Sequence, residues 1–272
     1  MLLNIYYLMQ SLSREFLRRC EAIAQGVSEA ITPLVGTHEA GKVTGMGADG
    51  TPTKQIDQLA EDCVMAFLTD QPICSTLVSE EAGRVELGEG WPGTLFLDPV
   101  DGTYNAVAGI PFFALSMALA LDEGVVAAFV RDLAGGETFT AVKGGGAFID
   151  GSPVRVSGVD RLELSALSLY GQKFNPGGIL SLGQKVRRWR LLGASALELS
   201  YTGCGRIDGF IDLRGTLRVT DAAAGILICT EAGGRVSDLD GSPLQFPAEV
   251  TRGKCLVASN GRMHEKIIEY LR

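Results

Sequence analysis

The sequence predicts an α+β chain in two halves, a mainly antiparallel sheet followed by a region of alternating strands and helices. Three observations carry that prediction. Apolar residues recur at helical spacing over residues 11–35 and again from Lys54 to Leu68. Short strand-like runs crowd together between residues 76 and 157. After about residue 160, helix-like and strand-like runs alternate. A length of 272 residues fits one large domain or two fused subdomains. The softest boundary, at residues 157–163, divides the chain into 1–160 and 161–272.

Each element follows from a local pattern. Phe16, Cys20, Ile23, Val27 and Ile31 fall three or four apart, which predicts an amphipathic helix over 11–35. Pro33 and Gly36 break it and open a glycine-rich stretch, 36–53, predicted to be a loop. A loop that long inside a compact domain is usually functional or mobile. Ile56, Leu59, Ala60, Val64 and Phe67 line a second helix, Lys54 to Leu68. Thr76–Ser79 and Thr94–Leu97 read as strands. Phe112–Leu121 and Val125–Val130 pair across Asp122-Glu123-Gly124, and Thr138–Val142 and Ala147–Ile149 pair across Lys143-Gly144-Gly145-Gly146. Further strands are expected at Ala166–Tyr170, Trp189–Leu192, Gly209–Leu213, Arg235–Ser237 and Cys255–Ala258. Further helices are expected at Ile179–Val186, Ser195–Cys204, Asp221–Ala232 and Met263–Leu271.

Composition removes several classes of function. The net charge of −8 repels phosphate and argues against a general nucleic-acid coat. With 46% hydrophobic and 21% charged residues the chain has enough apolar surface to fold. Its opening, Met1–Met9, is apolar but lacks the basic region and cleavage site of a signal peptide. No stretch reaches the ~18–20 uncharged apolar residues of a membrane span, so a soluble, cytoplasmic protein is expected. The six cysteines are scattered, without a CxxC pair, and there are only two histidines. That leaves no zinc ligand set and favours a reducing compartment. Any metal must be hard and oxygen-bound.

The densest chemistry lies in Leu95-Phe96-Leu97-Asp98-Pro99-Val100-Asp101-Gly102-Thr103. An apolar strand ends in two carboxylates three apart. Pro99 fixes the turn between them, and Gly102 lets backbone approach a ligand closely. A helix beginning at Thr103 turns free N–H groups toward an anion. An isolated DxxD is commonly a solvated turn; strand, Pro, Gly and Thr in this order make that reading weaker and favour Asp98 and Asp101 sharing a cation or binding two neighbouring ones. Glu80, in Ser79-Glu80-Glu81, joins them if the two strands are neighbours. Asp221 precedes Ala222-Ala223-Ala224-Gly225, where helix capping is a sufficient explanation. Asp57 and Glu61 stand i, i+4 on the second helix, where a solvated face is the default.

Four blocks occur in one order: Gly50-Thr51-Pro52-Thr53-Lys54-Gln55-Ile56-Asp57, Ser79-Glu80-Glu81, Asp98-Pro99-Val100-Asp101-Gly102-Thr103 and Thr220-Asp221-Ala222-Ala223-Ala224-Gly225. Together they resemble the inositol monophosphatase family of metal-dependent phosphatases, across roughly residues 15–260. Gly47–Lys54, Gly102–Ala106 with Gly109-Ile110-Pro111, Arg190–Ala194 and Ala196–Leu199 are similar to the archaeal-type branch with both fructose-1,6-bisphosphatase and inositol monophosphatase activity. One departure is Thr220, where many members have Trp before the last metal-binding Asp. The Asp is kept, so the chemistry is expected to survive with altered packing on the substrate side.

The resemblance implies a layered αβαβα sandwich and a homodimer. It implies two or three Mg²⁺ ions, with Mn²⁺ able to substitute, held by Glu80, Asp98, Asp101, Asp221 and the Val100 carbonyl. One ion would polarise the attacking water and another would hold the leaving ester oxygen. Thr103 with Glu80 would orient and deprotonate that water, and the Gly102 and Thr103 amides would cradle the phosphate. No covalent phospho-enzyme and no histidine is implied. Asp49, on the glycine-rich loop, and Asp57 would serve a third, weaker metal position. Gly193, Ala194, Ser195 and Asp212 would lie near the polyol hydroxyls, with Asp212 where inositol-specific relatives commonly have Glu. Arg190 and Arg214 are candidates for a second phosphate through forked contacts, with Arg187, Arg188 and Arg218 behind them. Tyr170 and Lys173 are placed near the pocket only by position along the chain. The activity implied is Mg²⁺-dependent hydrolysis of sugar and polyol phosphates, foremost fructose 1,6-bisphosphate and inositol 1-phosphate. A nucleotide 3′-phosphate or NADP would keep the mechanism and change the substrate. A non-catalytic phosphate-binding paralog is a different class, against which the complete carboxylate set and Thr103 argue.

Overall fold

The computed structural model describes residues 2–88, 90–171 and 177–271. The chain opens with helix α1 (Leu2–Ile31), a small hairpin of β1 (Val43–Met46) and β2 (Pro52–Lys54), and helix α2 (Gln55–Asp70). Eight strands follow: β3 (Thr76–Ser79), β4 (Gly83–Glu86), β5 (Thr94–Asp101), β6 (Ala114–Leu121), β7 (Gly124–Asp132), β8 (Thr138–Val142), β9 (Gly146–Ile149) and β10 (Ser152–Val154). A short helix, α3 (Thr103–Ala108), links β5 to β6. These strands form one sheet in the order β10-β9-β8-β7-β6-β5-β3-β4, antiparallel throughout except where β3 runs parallel to β5.

The remaining elements alternate: β11 (Ala166–Tyr170), α4 (Gly177–Gly183), β12 (Arg188–Arg190), α5 (Ser195–Gly203), β13 (Gly209–Leu217), α6 (Val219–Glu231), β14 (Arg235–Ser237), β15 (Lys254–Ser259) and α7 (His264–Leu271). The second sheet has the order β12-β11-β13-β15-β14. In it β11 is parallel to both β12 and β13, and β15 is antiparallel to β13 and β14.

Side-chain periodicity decides how these parts stack. On β5, Leu95 and Leu97 pack with Phe16, Ile23 and Ile56 of α1 and α2, while Phe96 packs the other way, with Ala196, Leu197 and Ala223 of α5 and α6. The far side of α5 and α6 contributes Leu199, Ala222 and Cys229 to a cluster with Phe210 and Leu256 of the second sheet. That sheet's outer face, with Leu169 and Val257, is covered by Ile179 of α4 and Ile267 of α7. The layers are therefore helix, sheet, helix, sheet, helix, the sandwich that the family resemblance implies. Each fully buried Leu, Ile or Phe contributes roughly 1.5–3 kcal/mol.

The middle layer explains a run of small residues. A helix enclosed by two sheets has no free face, and Ser195–Leu199 and Val219–Gly225 are buried throughout. A Cβ on Gly225 would come within 2.4 Å of the Leu199 Cβ, so α5 and α6 approach only because that position is glycine.

Several boundaries differ from the sequence expectation. The first helix starts at Leu2 and ends at Ile31, because the apolar opening continues the helix and turns replace it before Pro33. The stretch 36–53 is not all loop: it holds a 3₁₀ turn, Glu39–Gly41, and both strands of the hairpin β1–β2. All four residues of β1 are exposed, so no burial alternation marked it. Strands β4 and β10 were not expected; one pairs beside β3 at the sheet's edge and the other beside β9 at the opposite edge. Helix α4 and strand β12 begin and end earlier than the patterns at 179–186 and 189–192 suggested.

Candidate active site

The site begins with an irregularity in β5. Asp98 pairs with Ser116 and Asp101 with Ala114, so β5 has one residue more than β6 over this stretch, a bulge at Pro99-Val100. In a regular strand residues three apart face opposite sides. The bulge turns Asp101 to the side that Asp98 already faces, toward the middle helices, where Asp101 Oδ2 accepts a hydrogen bond from Ala196 N (2.6 Å) at the start of α5. Pro99 has no N–H to leave unpaired in the break. Asp98 Oδ1 accepts from Val100 N (3.0 Å), which locks the bulge.

Because β3 lies beside β5, the turn after β3 brings Glu80 to this point, and α6 delivers Asp221. Glu80, Asp98 and Asp221 each offer an oxygen, and these atoms lie within 4.8 Å of one another. Asp98 is 2% exposed. Burial, then the charges of Glu80, Asp101 and Asp221, push its carboxyl well above the ordinary range. Burial also raises Glu80, against the pull of Arg218. Asp101 is raised to about 8 by burial and by Asp221. All donors are oxygens and the carboxylates repel one another in a poorly solvated pocket. The chemistry of such a set fits a hard cation.

Thr103 stands at the head of α3. Its Oγ1 lies 2.9 Å from Asp57 Oδ1 and 3.0 Å from the Val100 carbonyl. The structure thus pairs Thr103 with Asp57, and no hydrogen bond joins it to Glu80 among the described residues. Asp57 is buried on α2, where its Oδ2 also accepts from Lys54 N (3.3 Å). Burial raises it to about 7, with the Thr103 bond acting in the opposite direction. Gly102, at φ +88°, lets the chain turn from strand to helix; a Cβ there would press on Ala194 Cβ and Gly193 O, both at 3.0 Å.

A cavity of about 170 Å³ joins these groups. Glu80, Asp98, Val100, Asp101, Gly102 and Thr103 line one side, with Asp221 and Arg218 beside them, and Tyr170, Gly193, Ser195 and Arg214 line the other. On this second side Tyr170, Arg214 and the Gly193 amide are already paired. The Glu198 carboxylate accepts from Tyr170 Oη (2.8 Å), from Leu192 N (3.1 Å) and from Ser168 Oγ. Tyr170 Oη accepts from Gly193 N (2.6 Å). Burial raises Glu198 to about 7 despite these donors. Asn105 Nδ2 donates to Phe112 O and Leu192 O, both 2.8 Å, tying α3 to the same segment. Arg214 lies 4.4 Å over the Tyr170 ring and forms a fork on Asp212, with Nη2 to Oδ2 at 2.6 Å.

Several expected site residues sit elsewhere. Arg190 is exposed on the edge strand β12, outside the cavity lining, with Nη1 on the Trp189 carbonyl. Asp212 is fully buried and commits its carboxylate to Arg214. Ala194 is buried just behind the lining. Asp49 Oδ1 accepts from Thr51 N (2.7 Å), and its carboxylate faces Arg218. Asp221 is not the cap of α6: that position is Arg218, whose N–H donates to Asp221 Oδ2 (2.9 Å). Lys173 lies outside the described residues. A larger cavity of about 700 Å³, lined by Met9, Leu12, Phe96 and Leu121 among others, is mainly apolar; Asp122 and Glu123 also line it, but among the described residues the three-carboxylate cluster is Glu80, Asp98 and Asp221.

Two supporting residues had no functional role in the sequence reading, and one of them, Glu61, was placed on a solvated face. Glu61 is 4% exposed, and its Oε1 accepts from Ala82 N (3.2 Å) and from Ser79 Oγ, so it holds the turn that carries Glu80. Its position one turn from Asp57, beside the apolar face of α2, was the available signal. Glu198 stood in a recognised block without a role.

A family model described as "Inositol monophosphatase family" matches residues 13–272. The chain belongs to the inositol monophosphatase family. Members of this family are metal-dependent, which agrees with the donor set. A fructose-1,6-bisphosphatase/inositol-1-monophosphatase of Methanothermobacter thermautotrophicus is 40% identical over 266 residues, covering 92% of this chain and 94% of that protein. A bifunctional NADP phosphatase/NAD kinase of Methanococcus maripaludis is 33% identical over 90% of this chain, which spans 47% of that protein. Among solved structures, an inositol monophosphatase–fructose 1,6-bisphosphatase superposes with a TM-score of 0.86 at 28% identity, covering 94% of this chain and 98% of the other. Among the described residues no helix is long and apolar enough to cross a membrane.

Proposed function

We propose that this family member hydrolyses phosphate monoesters of sugars and polyols, with fructose 1,6-bisphosphate and inositol 1-phosphate as its substrates. The observation that carries this is the convergence of Glu80, Asp98 and Asp221, with Asp101 behind them and the Thr103 hydroxyl in the same cavity. In this reading residues 1–160 supply most of the cation ligands, and 161–272 supply Asp221 and the sugar side. Two or three Mg²⁺ ions would be held by Glu80, Asp98, Asp101, Asp221 and the Val100 carbonyl, and they would supply the positive charge that activates a water and stabilises the departing ester oxygen.

The chain's own groups do the rest. Thr103 Oγ1 accepts a hydrogen bond from the attacking water while its own proton lies toward Asp57 Oδ1. Asp57, held neutral or charged within reach of neutral pH by its burial, takes the proton passed through that hydroxyl. The backbone amides of Gly102 and Thr103 cradle the phosphate. Tyr170, Gly193, Ser195 and Arg214 form the wall against which the sugar rests. All six cysteines are free thiols, which supports a reducing, cytoplasmic setting; a homodimer is the expected assembly.

Phosphate release is measured from fructose 1,6-bisphosphate, inositol 1-phosphate and NADP at matched Mg²⁺, with and without a chelator. NADP is included because of its phosphatase relatives. Release from the first two that stops on chelation is expected. Release that survives chelation, or none from any of the three, overturns the reading. The ratio of kcat/KM values ranks the substrates.

A further inference from the structure

Arg218 occupies an unusual place for a cationic side chain. Its guanidinium stands among the carboxylates that the proposed function assigns to cations: Nη1 contacts Glu80 Oε1 at 2.8 Å and also Asp49, and Nη2 contacts Asp221 Oδ1 at 3.0 Å. Nε reaches Asp221 Oδ2 at 3.2 Å. Burial works against the charge, yet Asp221 and Glu80 outweigh it and raise the group further above its usual range. The contacts are one-sided. Among the described residues Arg218 makes no hydrogen bond or ion pair to Asp98 or Asp101. The cluster thus has an inner part, Asp98 and Asp101, and an outer part, Asp49, Glu80 and one edge of Asp221, which the guanidinium holds together.

We propose that Arg218 is a resident counter-cation that competes with a divalent ion for the outer part of this cluster. The guanidinium takes up acceptor sites on Glu80 Oε1 and on both Asp221 oxygens and places a positive charge against the outer position, so loading that position with a divalent ion is favoured by the Arg218 side chain moving away. It has somewhere to go. A neighbouring cavity of about 370 Å³, lined by Asp49, Thr51, Arg214, Gly215, Arg218 and Asp221 among others, opens beside it. The backbone N–H of Arg218 stays on Asp221 whichever way the side chain points, so the start of α6 is not disturbed by the exchange. The device has two consequences. Asp49 is tied across the molecule without an ion, and the outer position binds a divalent ion less tightly than its three carboxylates alone would allow.

This inference rests on the cation-site reading, and its test separates the two. Mn²⁺ binding is followed by electron paramagnetic resonance for the wild type, Arg218→Met and, as a control, Arg235→Met, whose guanidinium sits on Glu265 away from the cavity. Thermal melting is recorded for each with chelator and with Mn²⁺. The weaker Mn²⁺ step is expected to tighten about tenfold in Arg218→Met and to stay unchanged in Arg235→Met. The Arg218→Met protein should melt below wild type in chelator, with the gap closing when Mn²⁺ is added; a merely structural arginine would lower both melts equally. A folded Arg218→Met protein whose weaker step is unchanged or looser overturns the inference. If that variant does not fold, Arg218→Lys, which keeps the charge and loses the fork, replaces it: a smaller tightening supports the inference, and none overturns it. Absence of Mn²⁺ binding by wild type and variants alike overturns the cation-site reading, and this inference with it.

Discussion

The two walls of the cavity solve opposite electrostatic problems. On the wall made by β3, β5 and α6, like charges are crowded together, and burial and mutual repulsion raise Glu80, Asp98 and Asp101. On the wall made by β11, α5 and β13, each buried charge has its partners within the chain: Glu198 has Ser168, Tyr170 and Leu192 N, and Asp212 has Arg214. On the first wall Arg218 pairs only the outer edge, and Asp98 and Asp101 are paired with no cationic side chain among the described residues, whereas the second wall is finished at folding. The first should therefore respond to metal and the second to substrate shape.

The strongest challenge to that contrast is Asp98→Asn. Removing the most buried charge from the crowded wall should lower turnover by at least about 10³-fold. The melting temperature in chelator should hold or rise, because a repelled charge has gone. A large loss of stability in chelator would mean that this wall too is internally paired. Next is Thr103→Val, which keeps the shape and removes the hydroxyl. A fall in kcat of about 10²–10⁴-fold with little change in KM is expected from steady-state kinetics.

On the paired wall, Glu198→Gln should act through position. The amide keeps one acceptor oxygen and loses the charge that Tyr170 Oη and Ser168 Oγ donate to, which loosens Gly193. A KM increase of about tenfold is expected, with a smaller change in kcat and unaltered Mn²⁺ binding. Altered metal affinity would show that the two walls are not separable.

The mildest expectation lies away from both walls. His264 is buried between Ser237 Oγ on Nε2 (2.8 Å) and Ser259 Oγ on Nδ1 (2.9 Å). Burial, then Arg235, lowers it from 6.5 to about 4. The fold therefore favours the neutral ring. Its contribution is fully present above pH 6.5 and is lost as pH falls toward 4, a slope worth about 3 kcal/mol in all at ~1.4 kcal/mol per pKa unit. Denaturant melts across that window should lose this slope in His264→Gln.

Legibility in the sequence followed locality. Asp98, Asp101, Gly102 and Thr103 form one short block, and the strand, Pro and Gly around them signalled their chemistry directly. The neighbourhood of Glu80 depended on β3 pairing with β5, which the sequence could pose only as a condition. Asp57 and Glu61 looked like a solvated i, i+4 pair, yet both are buried, because α2 lays that edge over the turn after β3. The hairpin β1–β2 was hidden by glycines and by the full exposure of β1. Arg218 looked like one more arginine for phosphate; its contact with Asp49 joins residues 169 positions apart, which no local pattern encodes.

Three longer helices begin at or beside this cavity, and each start gives a backbone amide to a carboxylate: Lys54 N to Asp57, which lies behind Thr103, at α2, Ala196 N to Asp101 at α5 and Arg218 N to Asp221 at α6. The aligned peptide dipoles of a helix place roughly half a positive charge at such an end. The three together approach the charge of a single divalent ion, and this share is wired into the backbone, where neither chelation nor side-chain substitution removes it. Cohesion of the acidic cluster and chemistry at it thereby become separate matters. A bound cation would therefore share with the backbone the role of holding the carboxylates together.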